Sequence, residues 1–126
     1  MMLPNLLIAP SKKGGRGVFA TKNIQAGTVL EISPVIALST KDRIALEGTK
    51  LYNYIFEWGN TRKMGALGMG YVSMYNHDYT SNCEYEMDYS GCTITVKTVR
   101  AVKKGEELCI NYNADPNNPT KVWFDK

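Results

Sequence analysis

Histidine is almost absent from this chain: His77 is the only one in 126 residues. Cysteine is scarce too, and the three present, Cys83, Cys92 and Cys109, contain no C-x-x-C pair. One imidazole and three scattered thiols lack the ligand spacing of a zinc site. No apolar run approaches the roughly 18 residues of a membrane span. The opening stretch "MMLPNLLIAPSKKGG" has no basic segment ahead of its short apolar run, which argues against a secretory signal. Long runs of Lys or Arg are missing, and the net charge is only +3, too weak for a dedicated nucleic-acid binder. The basic pairs Lys12-Lys13 and Lys103-Lys104 sit beside glycine and are expected to be solvated turns. These absences predict a soluble, unexported protein with no direct nucleic-acid or membrane partner.

What is present suits one compact domain spanning residues 1–126. Hydrophobic residues make up 44%, a globular value. Long helical periodicity is missing, and the clear signals have period two. "CEYEMDY" puts Cys83, Tyr85, Met87 and Tyr89 on one face and Glu84, Glu86 and Asp88 on the other. Ile94 and Val96 begin a second alternating stretch, and Ser90-Gly91 between the two supplies a two-residue hairpin turn. In that register Cys83 faces Thr98 and Tyr89 faces Cys92, which keeps the first two thiols beyond disulfide reach. Short strands are further expected at Leu6–Ala9, Gly17–Ala20, Val29–Ile32, Val35–Leu38 and Leu108–Asn111, with turn glycines at Gly27 and Gly105. Lys41–Glu47 suits a short helix. The small, glycine-rich "GALGMGYVSMY" suits close backbone approach. Trp123 and Phe124 are too large and apolar to leave wet, so the tail should pack back.

The one histidine stands in "MYNHDYTSNCEYEMDY", between the amides of Asn76 and Asn82 and among phenols. Three readings are open from the residues alone: a metal or catalytic imidazole, a knot of hydrogen-bonded side chains, or part of a pocket for a nucleotide-like ligand. Two other segments carry possible chemistry. One is Gly15-Arg16-Gly17-Val18-Phe19-Ala20, with Ile24 to Gly27 after it. The other is Gly105-Glu106-Glu107-Leu108, with Tyr112 after it. A lone G-x-G is weak evidence of a dinucleotide site, since the third glycine and the following helix are missing.

Taken in order, these segments resemble the SET domain of protein-lysine methyltransferases, over about Gly14 to Tyr112. That family opens with G-x-G and V/L-F/Y-A, carries N-H-S-x-x-P-N-x-x-Y, and closes with G-E-E-L-x-x-x-Y. Asn76-His77, Asn82 and Tyr85 match the middle motif, with Asp78 where serine is usual and Ser81 where proline is usual. Size and lack of added domains look most like the small stand-alone bacterial and viral members. "LYNYIFEW" is similar to their segment before the N-H motif, which places Tyr54 at an active-site tyrosine.

The resemblance implies a mainly β, β-clip type fold of short strands with a pseudoknot-like crossing near the C-terminus. It implies S-adenosylmethionine as cofactor, a lysine-containing protein as substrate, such as a basic chromatin or nucleoid protein, and no metal. It also implies a monomer or homodimer, in the cytoplasm or, in a eukaryotic host or its virus, the nucleus. Gly15, Arg16 and Gly17 would bring backbone groups to the methionine end of the cofactor. Asn76 and His77 would contact its adenine by backbone and amide, and Tyr112 would stand beside the methyl. Tyr54 and Tyr85 would line the lysine channel, Glu106 and Glu107 would stabilise their turn, and the tail at 113–126 would cover the site. A non-catalytic protein-binding module of the same fold is the alternative. The acids Asp78, Glu84, Glu86 and Asp88 are either a solvated edge or a rim that attracts basic substrate flanks.

Overall fold

A computed structural model describes residues 1–112 of the chain; the expected tail at 113–126, with Trp123 and Phe124, lies outside the described residues. Two small sheets enclose one core. The first is built on β1 (Leu6–Pro10) and β2 (Arg16–Ala20), an antiparallel pair. The turn between them closes by Ser11 N–H to the Gly15 carbonyl at 3.0 Å. Gly14 and Gly15 take φ of +127° and +54° there, a left-handed backbone that side chains disfavour. β2 then pairs with β9 (Glu107–Ile110), which in turn pairs in parallel with a two-residue strand, β6 (Asn76–His77).

The second sheet has the order β4-β5-β3-β8-β7. Its strands are β3 (Val29–Leu38), β4 (Ile55–Trp58), β5 (Met64–Gly68), β7 (Cys83–Asp88) and β8 (Thr93–Thr98). The β7–β8 hairpin keeps the expected register, with Cys83 opposite Thr98. Its turn is longer than two residues, because the ladder ends at Asp88 and Thr93. Asp88 Oδ1 takes the Gly91 N–H at 2.9 Å and the Ser90 hydroxyl at 3.1 Å, and Cys92 turns left-handed at φ +53°. That local carboxylate cap competes successfully with the last rung.

Two strands expected around Pro34 are one ten-residue strand. The proline stands where β3 changes partner: up to Pro34 it pairs with β8, and from Val35 onward with β5. A missing N–H costs no ladder bond at such a switch. The helix α1 falls at Thr40–Ala45, slightly earlier than the expected span, because Ser39 caps it by accepting the Asp42 N–H. β4 and β5 come from segments without alternating patterns and were not expected as strands. The glycine-rich stretch closes tightly: a Cβ on Gly68 would collide with the Val72 side chain.

The core between the sheets holds Val18, Leu30, Val72, Ile94, Val96, Leu108 and Ile110, all fully buried. Leu108 sits on β9 at the middle of the first sheet. Leu108→Ala should therefore lower unfolding free energy by about 2–5 kcal/mol, measured by urea titration. A loss under about 1 kcal/mol would mean that β9 is not the central packing strand.

Candidate active site

A cavity of about 600 Å³ opens between the glycine turn, residues 50–54, residues 73–77 and Tyr112. Its size suits a small molecule or cofactor. Lys13, Arg16 and Lys50 contribute to its wall and, among the described residues, no carboxylate side chain does, so the lining favours a ligand with an anionic end. Asn53, Asn76 and backbone of Gly14 and Gly15 add neutral polar groups, while Tyr54 and Tyr112 add aromatic surface.

Glu107 ties the walls together. Its Oε1 accepts the Ser11 hydroxyl at 2.6 Å and its Oε2 accepts the Asn76 amide at 2.8 Å. The same amide nitrogen also donates to the Arg16 carbonyl at 3.2 Å. One carboxylate thus binds the glycine turn and β6 to β9. Gly17 makes room for this junction: a Cβ there would run into Glu107 Oε2 and Asn76 Nδ2. Glu106 does what was expected of both acids, accepting the Lys103 N–H across the turn at 2.9 Å.

The turn is latched from outside as well. Lys13 is exposed, as expected, and its Nζ donates to Asp78 Oδ2 at 2.9 Å. Asp78 Oδ1 accepts the Thr80 N–H at 2.9 Å. Burial works to raise the Asp78 carboxyl, but hydrogen bonds from Lys13 and Thr80 outweigh it and the group ends below its ordinary range. The Lys13 ammonium is raised, first by its hydrogen bond to Asp78. An aspartate where serine was the expected type therefore gains a partner that serine could not hold by charge.

His77 is structural in its contacts. Its Nδ1 accepts the Tyr112 N–H at 3.0 Å, so the neutral ring keeps its proton on Nε2. The ring stands edge-on to Tyr79, centroids 4.2 Å apart, and tilted against Tyr112. Asn82 bonds the other side of β9, donating to the Glu107 carbonyl and accepting the Cys109 N–H, at 2.9 and 2.8 Å. Tyr112 donates its hydroxyl to the Tyr75 carbonyl at 2.8 Å. Burial pushes its pKa up to about 12, so it works as a protonated phenol.

The sequence-predicted residues fall in two groups. Gly15, Arg16, Tyr54, Asn76, His77 and Tyr112 line the cavity together. Gly17 faces the Glu107–Asn76 junction instead, for want of space. Tyr85 lies behind Tyr112, 7% exposed, and donates its hydroxyl to the Tyr112 carbonyl at 3.0 Å while its ring packs on Phe56. Burial raises its phenol as well. Lys50 and Asn53 were missed. They share a 3-10 turn, Lys50–Tyr54, where residues three apart eclipse. The four acids do not form one rim: Asp78 pairs with Lys13 and Glu84 pairs with Lys97 at 3.3 Å, leaving Glu86 and Asp88 exposed on β7. Among the described residues no three His, Cys, Asp or Glu side chains converge as metal ligands.

Comparison with known proteins identifies the family and the fold. The SET domain family model matches residues 15–113. A Schizosaccharomyces pombe histone-lysine N-methyltransferase, H3 lysine-37 specific, is 38% identical over 122 residues, covering 95% of this chain and 77% of that protein. A candidate histone methyltransferase of Plasmodium falciparum superposes with a TM-score of 0.72 at 23% identity, covering 98% of this chain and 99% of that one. An inhibitor-bound, humanized mutant of Chaetomium thermophilum Polycomb Repressive Complex 2 gives 0.73 at 21% identity, covering 89% of this chain and 15% of that one.

Two outcomes test the architecture of the cavity. Glu107→Ala strands the Ser11 hydroxyl and leaves the Asn76 amide only its Arg16 acceptor, so it should cost about 1–3 kcal/mol and speed amide exchange at Gly14–Gly17. Unchanged exchange there would separate Glu107 from the glycine turn. Asp78→Asn breaks a pair that is more than one-third exposed, so its cost should stay below about 1 kcal/mol and shrink in high salt. The depressed Asp78 pKa sets the sign with pH. Its contribution is present above the unfolded carboxyl pKa of about 3.9 and is lost as pH falls through the lower folded value. A salt-independent cost would contradict the charge pairing.

Proposed function

This chain belongs to the SET-domain family of protein-lysine methyltransferases, and we propose that it moves a methyl group from S-adenosylmethionine to a lysine of a basic, histone-like protein. The observation that carries the site assignment is the bond from the Tyr112 hydroxyl to the Tyr75 carbonyl at the edge of the cavity. The cavity residues fit the cofactor. Lys13, Arg16 and Lys50 suit its carboxylate, and the glycine turn admits close backbone approach to its methionine end. Asn76 and His77 would face its adenine with main-chain and amide groups. When bound, it supplies a methyl on a sulfonium, an electrophile that needs no covalent enzyme intermediate.

The chain's own residues then have two tasks. One is to position the amine, and the second is to have it neutral. A free lysine has a pKa of about 10.4, so the neutral amine costs about 4 kcal/mol near physiological pH. Desolvation among phenols lowers that cost. Tyr112 and Tyr85 are both held protonated by burial, so they donate or orient and do not act as phenolate bases. Tyr54 forms the channel wall on the cavity side, and Tyr85 fixes the Tyr112 main chain from behind. Tyr112 is the hydroxyl nearest the reaction.

The S. pombe relative acts on a histone lysine, and this supports a basic protein as substrate here. Exposed Glu86 and Asp88 would steer such a partner without holding it. In a eukaryotic host that substrate class would place the protein in the nucleus, and otherwise in the cytoplasm. No helix among the described residues is long and apolar enough to cross a membrane. We read residues 1–126 as one catalytic domain acting as a monomer or homodimer.

Incubation with radiolabelled S-adenosylmethionine and core histones should label lysine. Absence of label on histones and on a whole basic-protein pool would count for a binding module instead. Tyr112→Phe should lower kcat roughly ten- to a hundred-fold with little change in cofactor Kd by calorimetry. Full turnover would remove Tyr112 from its role. With Tyr112 protonated up to about 12, the rate should climb over roughly pH 7–9 as the substrate amine deprotonates, with no downturn.

A further inference from the structure

Beneath the site lies a carboxylate that the proposed chemistry does not use. Glu31, on β3, is fully buried. Its Oε2 accepts the Ser33 hydroxyl at 2.6 Å and the Tyr71 N–H at 3.1 Å. Tyr71 begins the 3-10 turn Tyr71–Met74, and the next residue is Tyr75. The Tyr75 ring is buried, and its carbonyl is the acceptor for the Tyr112 hydroxyl. Glu31 also acts electrostatically on the buried Tyr75 phenol and helps to raise it, while Oε1 and the Tyr75 hydroxyl each lack a hydrogen bond of ordinary geometry. Gly70 makes the approach possible, since a Cβ there would run into Ser33 Oγ and Glu31 Oε2.

We infer that Glu31 is a positioning residue for methyl transfer: it pins the Tyr71–Tyr75 turn, so that the Tyr75 carbonyl aims the Tyr112 hydroxyl at the reacting centre. This inference rests on the methyltransferase reading. A buried carboxylate is a poor way to gain stability. Burial pushes its pKa up, and the bonds from Ser33 and Tyr71, with the nearby Tyr75 hydroxyl, only partly offset that. An apolar side chain of similar volume would fill the space at less cost. What an apolar side chain lacks is an acceptor for the Tyr71 N–H, the bond that sets where the turn sits.

The test is a double-mutant cycle on kcat for histone methylation, using full-length protein. Glu31→Leu should lower kcat roughly ten-fold in the wild-type background, while KM and cofactor Kd move less than about two-fold. In a Tyr112→Phe background there is no hydroxyl to aim, so the same substitution should change kcat less than about two-fold. Glu31→Gln keeps an acceptor for Tyr71 and should restore most of the wild-type kcat. Equal losses in both backgrounds, or no loss in the first, overturn the inference. If Glu31→Leu does not fold, Ser33→Ala loosens the same carboxylate more gently. It should lower kcat about two- to three-fold in the wild-type background and not in Tyr112→Phe; an unchanged kcat overturns the inference. Absence of transfer by the wild-type protein would sink the methyltransferase reading itself, and full turnover by Tyr112→Phe would sink the Tyr112 assignment. Either result takes this inference with it.

Discussion

The backbone of residues 107–112 is hydrogen-bonded on both of its edges, and the site depends on that. On one side, β6 lies parallel to β9, the Asp78 N–H reaches the Ile110 carbonyl, and His77 Nδ1 takes the Tyr112 N–H. On the other, Asn82 bonds the Glu107 carbonyl and the Cys109 N–H, and Tyr85 caps the Tyr112 carbonyl. An Asn amide mimics a strand edge where no strand is available, because it carries a donor and an acceptor side by side. The chain is held between two segments that are close in sequence, residues 75–79 and 82–85. This is the crossing that brings Tyr112 against the cavity.

Around that crossing, space is as important as bonding. Gly17, Gly68 and Gly70 are all sites where a single added carbon would strike a neighbouring side chain. At none of the three is a left-handed backbone the reason for glycine, unlike Gly14, Gly15, Gly27 and Gly105. Gly17 admits the Glu107–Asn76 junction, Gly68 admits Val72, and Gly70 admits Glu31 and Ser33. The floor of the site is therefore assembled by side chains entering where others are missing. The carboxylates of Glu31 and Glu107 at this floor each accept two hydrogen bonds, which fixes geometry at some cost in stability.

The electrostatics of the site follow from the same packing. The cavity wall carries cations, while three carboxylates around it are spent on internal bonds: Glu107 on Ser11 and Asn76, Asp78 on Lys13 and Thr80, Glu31 on Ser33 and Tyr71. His77, the one side chain that ordinarily titrates near neutral pH, is committed to the Tyr112 main chain. In the proposed reaction, desolvation and orientation by protonated phenols would carry the chemistry, which suits a displacement whose electrophile is activated before it arrives.

Much of this was legible in the residues. Period-two alternation placed β7 and β8 in register, because a strand buried on one face cannot slip without exposing its apolar set. Motif order brought Gly15, Arg16, Asn76, His77, Tyr54 and Tyr112 to one cavity. Local patterns stopped short wherever a partner distant in sequence decides the outcome. β4 and β5 lack alternation and become strands because β3 offers β5 an edge beyond Pro34, and β5 in turn offers one to β4. Glu107 looked like a turn residue and proved to be a junction, since its two acceptors are filled from positions 96 and 31 residues away. Lys13 looked solvated and found Asp78 across 65 residues. The sequence by itself determined strand faces, turn glycines and the set of chemical groups, all of which depend on neighbours a few residues apart. Only the tertiary structure decided which carboxylate meets which donor, because burial of a charge is settled by whatever the whole fold brings beside it.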